Sequence, residues 1–310
     1  MNAHLKGHLC IGGACIIWGL MSPLGKDAML HGIAGFDMVT FRVLGACICF
    51  WAASLITRAV RKARHQAPLR EPSRRDLLLF FGVAVFSVIC NQCCFTVGLS
   101  YTSPTNASIM TTTLPIITMI LAAIVLKEPV TPKKVLGITA GISGALLLIL
   151  SSAQSKAPTE GHLLGDILVI GAQCSFAIYL TYFKHLVQRY NPVTVMKWTF
   201  TYATLVILPF NMHHLASLPW ACISTRTWAE TAFVVFCGTF VAYIMMMKAQ
   251  QVLRPTVVSI YNYLQPTVAC LVSVLTGLGV FGLYQGIAVV LVFTGVYLVT
   301  VAGNHGTDGH

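Results

Sequence analysis

Two proline-bearing apolar segments carry matched polar side chains. The first presents Ser108, Thr111, Thr112 and Pro115, and the second presents Ser259, Asn262, Tyr263 and Pro266. These spacings place each set on one face of a helix. A hydroxyl, amide or phenol inside hydrocarbon needs a helix neighbour or a water-filled cavity. Each proline removes a backbone donor and frees a carbonyl, so both helices can bend and offer main-chain acceptors. The chemistry this suggests is reversible binding of a solute rather than bond making. Close helix packing and cavity lining account equally well for the Ser and Thr hydroxyls. Asn262 and Tyr263, larger and near mid-span, point to a cavity. Asn91 and Gln92 lie near mid-depth of another apolar run, with Tyr243 as the counterpart of Gln92 under an offset of 151 positions. Gln173, Tyr179 and Tyr182, together with Trp18, add amide and aromatic groups. Such a mixture suits an amphipathic solute with an apolar body and a polar head. Tyr182, near a helix end, also fits an interfacial anchor, and Trp18 fits simple packing.

Two charges lie within apolar runs, Arg42 and Lys197. At about 1.5 Å per residue neither need reach the membrane midplane, and both are close enough to a helix end to snorkel. Both also sit near a helix N-terminus, where the dipole disfavours a cation. That conflict points to a partner, either a backbone carbonyl or a carboxylate of the solute. The acids Asp37, Asp76, Asp166 and Glu230 stand at segment starts and Glu128 at a segment end. Near a helix N-terminus such acids are favourable caps. Ten of the eleven cysteines fall in apolar runs, and no His or carboxylate pair stands at ligand spacing beside Cys90, Cys93 and Cys94. No metal site or cofactor is expected. The P-loop pattern of nucleotide-driven pumps does not occur.

The elements that must hold these groups are membrane helices. Of the 310 residues, 56% are apolar and 9% charged, and the mean hydropathy is +0.77. That composition excludes an ordinary soluble domain. Spans of about 20 residues fall near 8–26, 36–57, 77–100, 103–126 and 133–152, then near 163–186, 193–211, 229–250, 255–277 and 284–302. Pro104-Thr105, Ser108-Ile109 and Pro115 recur 151 positions later as Pro255-Thr256, Ser259-Ile260 and Pro266. An earlier echo at 158 positions relates His4-Leu5, Gly7, Gly13-Ala14 and Lys26 to His162-Leu163, Gly165, Gly171-Ala172 and Lys184. The chain therefore reads as an all-α polytopic membrane protein of ten transmembrane helices in two five-helix repeats, 1–157 and 158–303, with a polar tail at 304–310. A unit with an odd number of spans, fused to itself, inverts its second copy.

Charge supports that topology. With the N-terminus inside, fifteen Lys and Arg face the cytoplasm, seven of them between Arg58 and Arg75, against Lys26, Lys156 and Arg226 outside. The net charge of +11 thus belongs to the positive-inside rule rather than to a nucleic-acid partner. Lys133 and Lys134 correspond to Tyr284 and Gln285 in the second half, and Ser103 to Arg254, as an inversion requires. The run Leu9–Gly25 has no evident cleavage site and reads as a retained helix.

Three stretches, Phe36–Ala46, Gly98–Leu148 and Leu253–Gly277, resemble the EamA-type members of the drug/metabolite transporter superfamily. Lys127-Glu128 at the end of the fourth span is the most specific part, and Trp18, Lys26 and Phe41-Arg42 also fit. The resemblance implies ten helices in two inverted repeats, a central cavity and export of small metabolites, often amino acids, across the inner membrane. One departure stands out. The family repeats its Gly-Glu ending at span nine, where this chain has Gly277-Leu278-Gly279, so Glu128 lacks an acidic counterpart. A membrane-embedded enzyme would need clustered mid-membrane His, Asp or Cys, which the spans lack, and a scaffold subunit has no need of paired polar prolyl helices. The partners expected are the lipid bilayer and a small-molecule substrate. With acids and histidines at helix ends, the expected driving force is the solute's own gradient, by exchange or facilitated diffusion.

Overall fold

A computed structural model describes residues 3–101, 110–153, 163–275 and 282–304. Among these residues the backbone is nearly all helical and contains no strand. In hydrocarbon a helix satisfies its own backbone groups, which is why such apolar runs fold this way. The first half contributes α1 (Ala3–Leu30), α2 (Gly35–Ala63), α3 (Arg74–Ala84), α4 (Cys90–Tyr101), α5 (Leu114–Val125) and α6 (Pro132–Ala153). The second contributes α7 (Leu163–Tyr182), α8 (Lys184–Arg189), α9 (Pro192–Ser217), α10 (Thr225–Val235), α11 (Ala242–Gln250), α12 (Pro255–Ile260), α13 (Leu264–Leu275) and α14 (Leu283–Asn304). Five stretches, Gly35–Ala63, Arg74–Gly98, Leu163–Tyr182, Pro192–Ser217 and Thr225–Gln250, are long and apolar enough to cross a bilayer. Leu114–Val125 and Gly286–Ala302 are shorter apolar helices. Large apolar side chains line the outside, among them Ile124, Leu205 and Phe210, as expected of a surface that faces lipid rather than water.

Most expected spans coincide, over their described residues, with helical stretches, several of them interrupted. The run 163–186 is not a single helix, because it breaks at Phe183 into α7 and the short α8. Helix starts follow capping chemistry. Ser73 and Ser224 accept the backbone N–H of Asp76 and Thr227, each at 3.1 Å. Asn191 caps α9 ahead of Pro192 by accepting from the Val193 N–H at 2.9 Å.

Two helices carry matching irregularities. A π turn, Val85–Ile89, joins α3 to α4, and another, Phe236–Val241, joins α10 to α11; they begin 151 positions apart. Both proline-bearing segments break just before their proline, at the turn Thr112–Thr113 and at the 3-10 turn Tyr261–Tyr263. Pro115 and Pro266 cannot donate to the carbonyl four residues earlier, so regular winding fails there.

Helix pairing follows a reciprocal pattern. α1 packs on α11 and α13, as α7 packs on α4 and α5; α2 pairs with α9, and α6 with α14. The α6–α14 contact is a glycine seam. A Cβ on Gly137 would lie 2.9 Å from Gly295 O, and one on Gly144 would lie 2.7 Å from Ala288 O. Small residues allow this backbone approach where apolar burial against lipid supplies little drive.

Candidate functional site

The polar side chains inside the bundle gather mainly at three levels. At the centre, the buried Gln92 of α4 donates from Nε2 to Tyr243 Oη of α11 at 3.4 Å. Trp18 of α1 donates from Nε1 to Gly238 O at 2.9 Å and meets the Tyr243 ring edge-on at 5.9 Å. Phe200 of α9 also packs edge-on with Tyr243, at 5.3 Å. Arg42 of α2 donates from Nε to Thr239 Oγ1 at 3.0 Å, and Thr239 donates in turn to Val234 O at 3.0 Å. That last bond runs five residues back along the π turn. The turn thereby presents both the Gly238 carbonyl and the Thr239 hydroxyl to side chains of the first half. Asn91 donates to Ala172 O at 2.9 Å, tying α4 to α7.

The prolyl pair forms the second level. Tyr263 Oη donates to Thr112 O at 3.0 Å, a carbonyl that lies at the break before Pro115. Asn262 donates to Ser259 O at 3.0 Å and accepts from Gln265 at 2.7 Å. Ser259 is fully buried, and its hydroxyl donates to Thr256 O in its own helix at 3.0 Å. Thr111 precedes the break and Thr112 lies in it, while Ser108 lies outside the described residues. Gln92 with Tyr243, and Thr112 with Tyr263, are both pairs of positions 151 apart. Residues matched by the repeat therefore meet each other.

The third level lies at the end of the bundle where α5 finishes and α6 and α12 begin, here called the basic face. Glu128 Oε2 accepts from Lys134 Nζ at 3.2 Å and from Thr256 Oγ1 at 3.0 Å, and its Oε1 lies 3.7 Å from Lys184 Nζ. Lys134 is 1% exposed, so this pairing is sealed from water. The basic face also joins Tyr190 to Asp76 at 2.5 Å.

Several expected site residues stand elsewhere than their types suggested. Tyr179 is buried, donating to Gln250 Oε1 at 2.8 Å. Neither in-span cation snorkels. Arg42 turns sideways to Thr239, and Lys197 is sealed with Nζ 4.7 Å from the Trp51 ring centre and 5.2 Å from that of Trp198. The attraction of an ammonium for indole faces, about 2 kcal/mol when desolvated, replaces the carbonyl or carboxylate partner expected for Lys197. Asp37 is more than a cap. It is fully buried at the face opposite the basic one, where Oδ1 meets Asn211 Nδ2 and His214 Nδ1, both at 2.9 Å.

The chain's residues missed by sequence reasoning are Thr239, Gln250, Asn211 and the partners of Glu128. Polarity within an apolar run could have marked Thr239 and Asn211; the Glu128 partners come from separate segments and leave no local pattern. The candidate groups at the centre are packed against one another in this conformation. An open cleft of about 540 Å³ lies instead at the start of α1 against α11, lined in part by Lys6, Cys10, Met245 and Lys248. No group of His, Cys, Asp or Glu among the described residues is arranged to hold a metal.

Comparison with known proteins places the chain in a family. The family described as "EamA-like transporter family" matches twice, over residues 5–150 and 163–301. The chain is 25% identical to the uncharacterized transporter YyaM of Bacillus subtilis (strain 168), covering 90% of this chain and 84% of that one. It is 24% identical to an uncharacterized transporter of Archaeoglobus fulgidus, over 95% and 97% of the two chains. A WAT1-related protein of Arabidopsis thaliana is 24% identical over 95% of this chain and 78% of its own. A solved crystal structure superposes with a TM-score of 0.75 at 15% identity, covering 98% of each chain; this likeness concerns the fold alone.

Proposed function

The chain belongs to the EamA-like transporter family, and from that premise we propose that it carries small organic metabolites, amino acids or related solutes, out of the cell by alternating access. In this reading ten helices cross the inner membrane as two inverted repeats, and the solute binds where the repeats meet. The observation that carries it is the meeting of matched residues, Gln92 with Tyr243 and Thr112 with Tyr263. Two positions related by a two-fold axis touch each other only beside that axis. The reciprocal packing of α1 on α11 and α7 on α4 supports the same relation. Inversion is supported by the helix ends. The start of α3 adjoins Tyr190 at the basic face through Asp76, whereas the start of α10 adjoins Asp27, near the end of α1, through Arg226 at 3.0 Å. The direction of transport is carried over from the family.

The test is solute flux into liposomes that contain only the purified chain, with solutes chosen by a metabolite-resistance screen in an overexpressing strain. Flux above that of empty liposomes is expected; its absence for every solute of the screen overturns the reading. The driving force is proposed to be the solute's own gradient, because the central cluster offers amide, hydroxyl, phenol and guanidinium rather than carboxylate or imidazole. Counterflow without a pH gradient is then expected. Accumulation against a solute gradient, when only a pH gradient is imposed, is the contrary result.

A further inference from the structure

We infer that the Arg42 guanidinium is the contact for a carboxylate of the transported solute, so that the central site selects small organic acids carrying net negative charge. The inference rests on the transporter reading above and narrows its substrate class.

Arg42 stands seven residues beyond the start of α2, about 10 Å along the helix, and turns into the bundle rather than toward its end. Its Nε is held by Thr239 Oγ1 at 3.0 Å. No other hydrogen bond or ion pair of Arg42 occurs among the described residues. Six acids are committed elsewhere: Asp27 and Glu230 to Arg226, Asp37 to His214, Glu71 to Arg58, Glu128 to Lys134 and Lys184, and Asp76 to Tyr190; Asp166 stands in the first turn of α7. A cation inside a membrane protein is expensive unless it is paired or faces water. Arg42 is partly accessible, and none of its nitrogens is among the polar atoms sealed without a partner. Its two terminal amino groups thus keep their donors unused in this packed conformation.

The geometry fits one kind of ligand. With Nε engaged, the end of the guanidinium still offers a parallel pair of N–H donors, the fork that matches both oxygens of a carboxylate. Thr239 is fixed by its own bond to Val234 O at 3.0 Å, so the fork is oriented before the solute arrives. Trp18, Tyr243 and Phe200 supply aromatic surface nearby, suited to an apolar or aromatic body. No carboxylate of the described residues stands at this level to receive an ammonium. A simple acid should therefore bind at least as tightly as the amino acid of the same skeleton, and a neutral amide much less tightly.

The experiment is ligand-dependent melting of the purified full chain in detergent at neutral pH. The probes are matched sets: 3-phenylpropanoate, 3-phenylpropanamide and L-phenylalanine, with branched aliphatic sets of the same design. Carboxylates of at least one set are expected to raise the melting temperature, with the amide at least tenfold weaker. In Arg42→Gln the acid should bind at least tenfold more weakly while the amide is unaffected. Arg42→Lys, which keeps the charge without the fork, should retain preference for the acid at reduced affinity, and it serves if the Gln variant does not fold. Equal binding of acid and amide, unchanged acid affinity in Arg42→Gln, or no carboxylate producing a shift overturns the inference. Flux of neutral solutes in the same preparation would leave the transporter reading standing while this one falls.

Discussion

Tyr263 shows how one side chain can join two roles. Its hydroxyl takes up the carbonyl of Thr112 at 3.0 Å, and its ring fills the space that a Cβ on Gly141 would need, 2.4 Å away. Tyr263→Phe removes only the hydrogen bond, and about 1 kcal/mol of stability should go with it, read as a lower melting temperature in detergent. Tyr263→Leu and Asn262→Leu go further by removing the ring or the amide from the prolyl face. Both should insert normally, since Leu suits the bilayer, yet reduce flux severalfold or alter solute preference. Normal transport by both variants would make this face packing rather than site. Ser259 illustrates what residue type alone conceals. Its position on the polar face was legible, but a hydroxyl spent on Thr256 O is invisible until the helix is built.

At the scale of elements, the seam between α6 and α14 depends on bare backbone. A Cβ on Gly295 would lie 2.6 Å from Gly137 O and 2.7 Å from Gly141 N, neither of which can rotate away. Gly295→Ala should therefore cost about 2–3 kcal/mol, whereas Gly171→Ala, with nothing within 4 Å, should be neutral or gain up to about 1 kcal/mol from helix propensity. Thermal unfolding of the two variants in one detergent decides the contrast. The helices themselves were largely legible, because apolar length is written locally. The π turns were not. One extra residue in a turn leaves no compositional trace, yet it is the turn at Phe236–Val241 that aims Gly238 O and Thr239 Oγ1 at Trp18 and Arg42. The break at Phe183 was likewise hidden within a continuous apolar pattern.

At the scale of the whole molecule, the proposed topology puts both termini and residues 58–76 in the cytoplasm and 212–228 outside. Cys222 is exposed, so an impermeant thiol reagent should label it in intact spheroplasts and should fail in a Cys222→Ser chain. A periplasmic reporter fused near residue 65 should stay silent, and activity there would reverse the assignment. The repeat was legible in the spacing of prolines and hydroxyls. What spacing could not convey is that matched residues meet, since contact across an axis depends on how the halves dock.

The pairing of Glu128 with Lys134, Lys184 and Thr256 has an unequal relation to the two membrane faces. Through Lys184 and Thr256 it joins a carboxylate of the first half to groups of the second, and the matched position in the second half is Gly279. A carrier that opens the basic face must part Glu128 from Lys184 and Thr256, whereas the other face has no acid at the matched place. The two end states of the empty protein are then unequal in energy, and each 1.4 kcal/mol between them shifts their ratio about tenfold. Opening the other face parts a different set of contacts, those of Asp37 with Asn211 and His214 and of Asp27 with Arg226. Two halves built from one plan thus lock their two doors with different keys, and the difference decides where the unloaded protein rests.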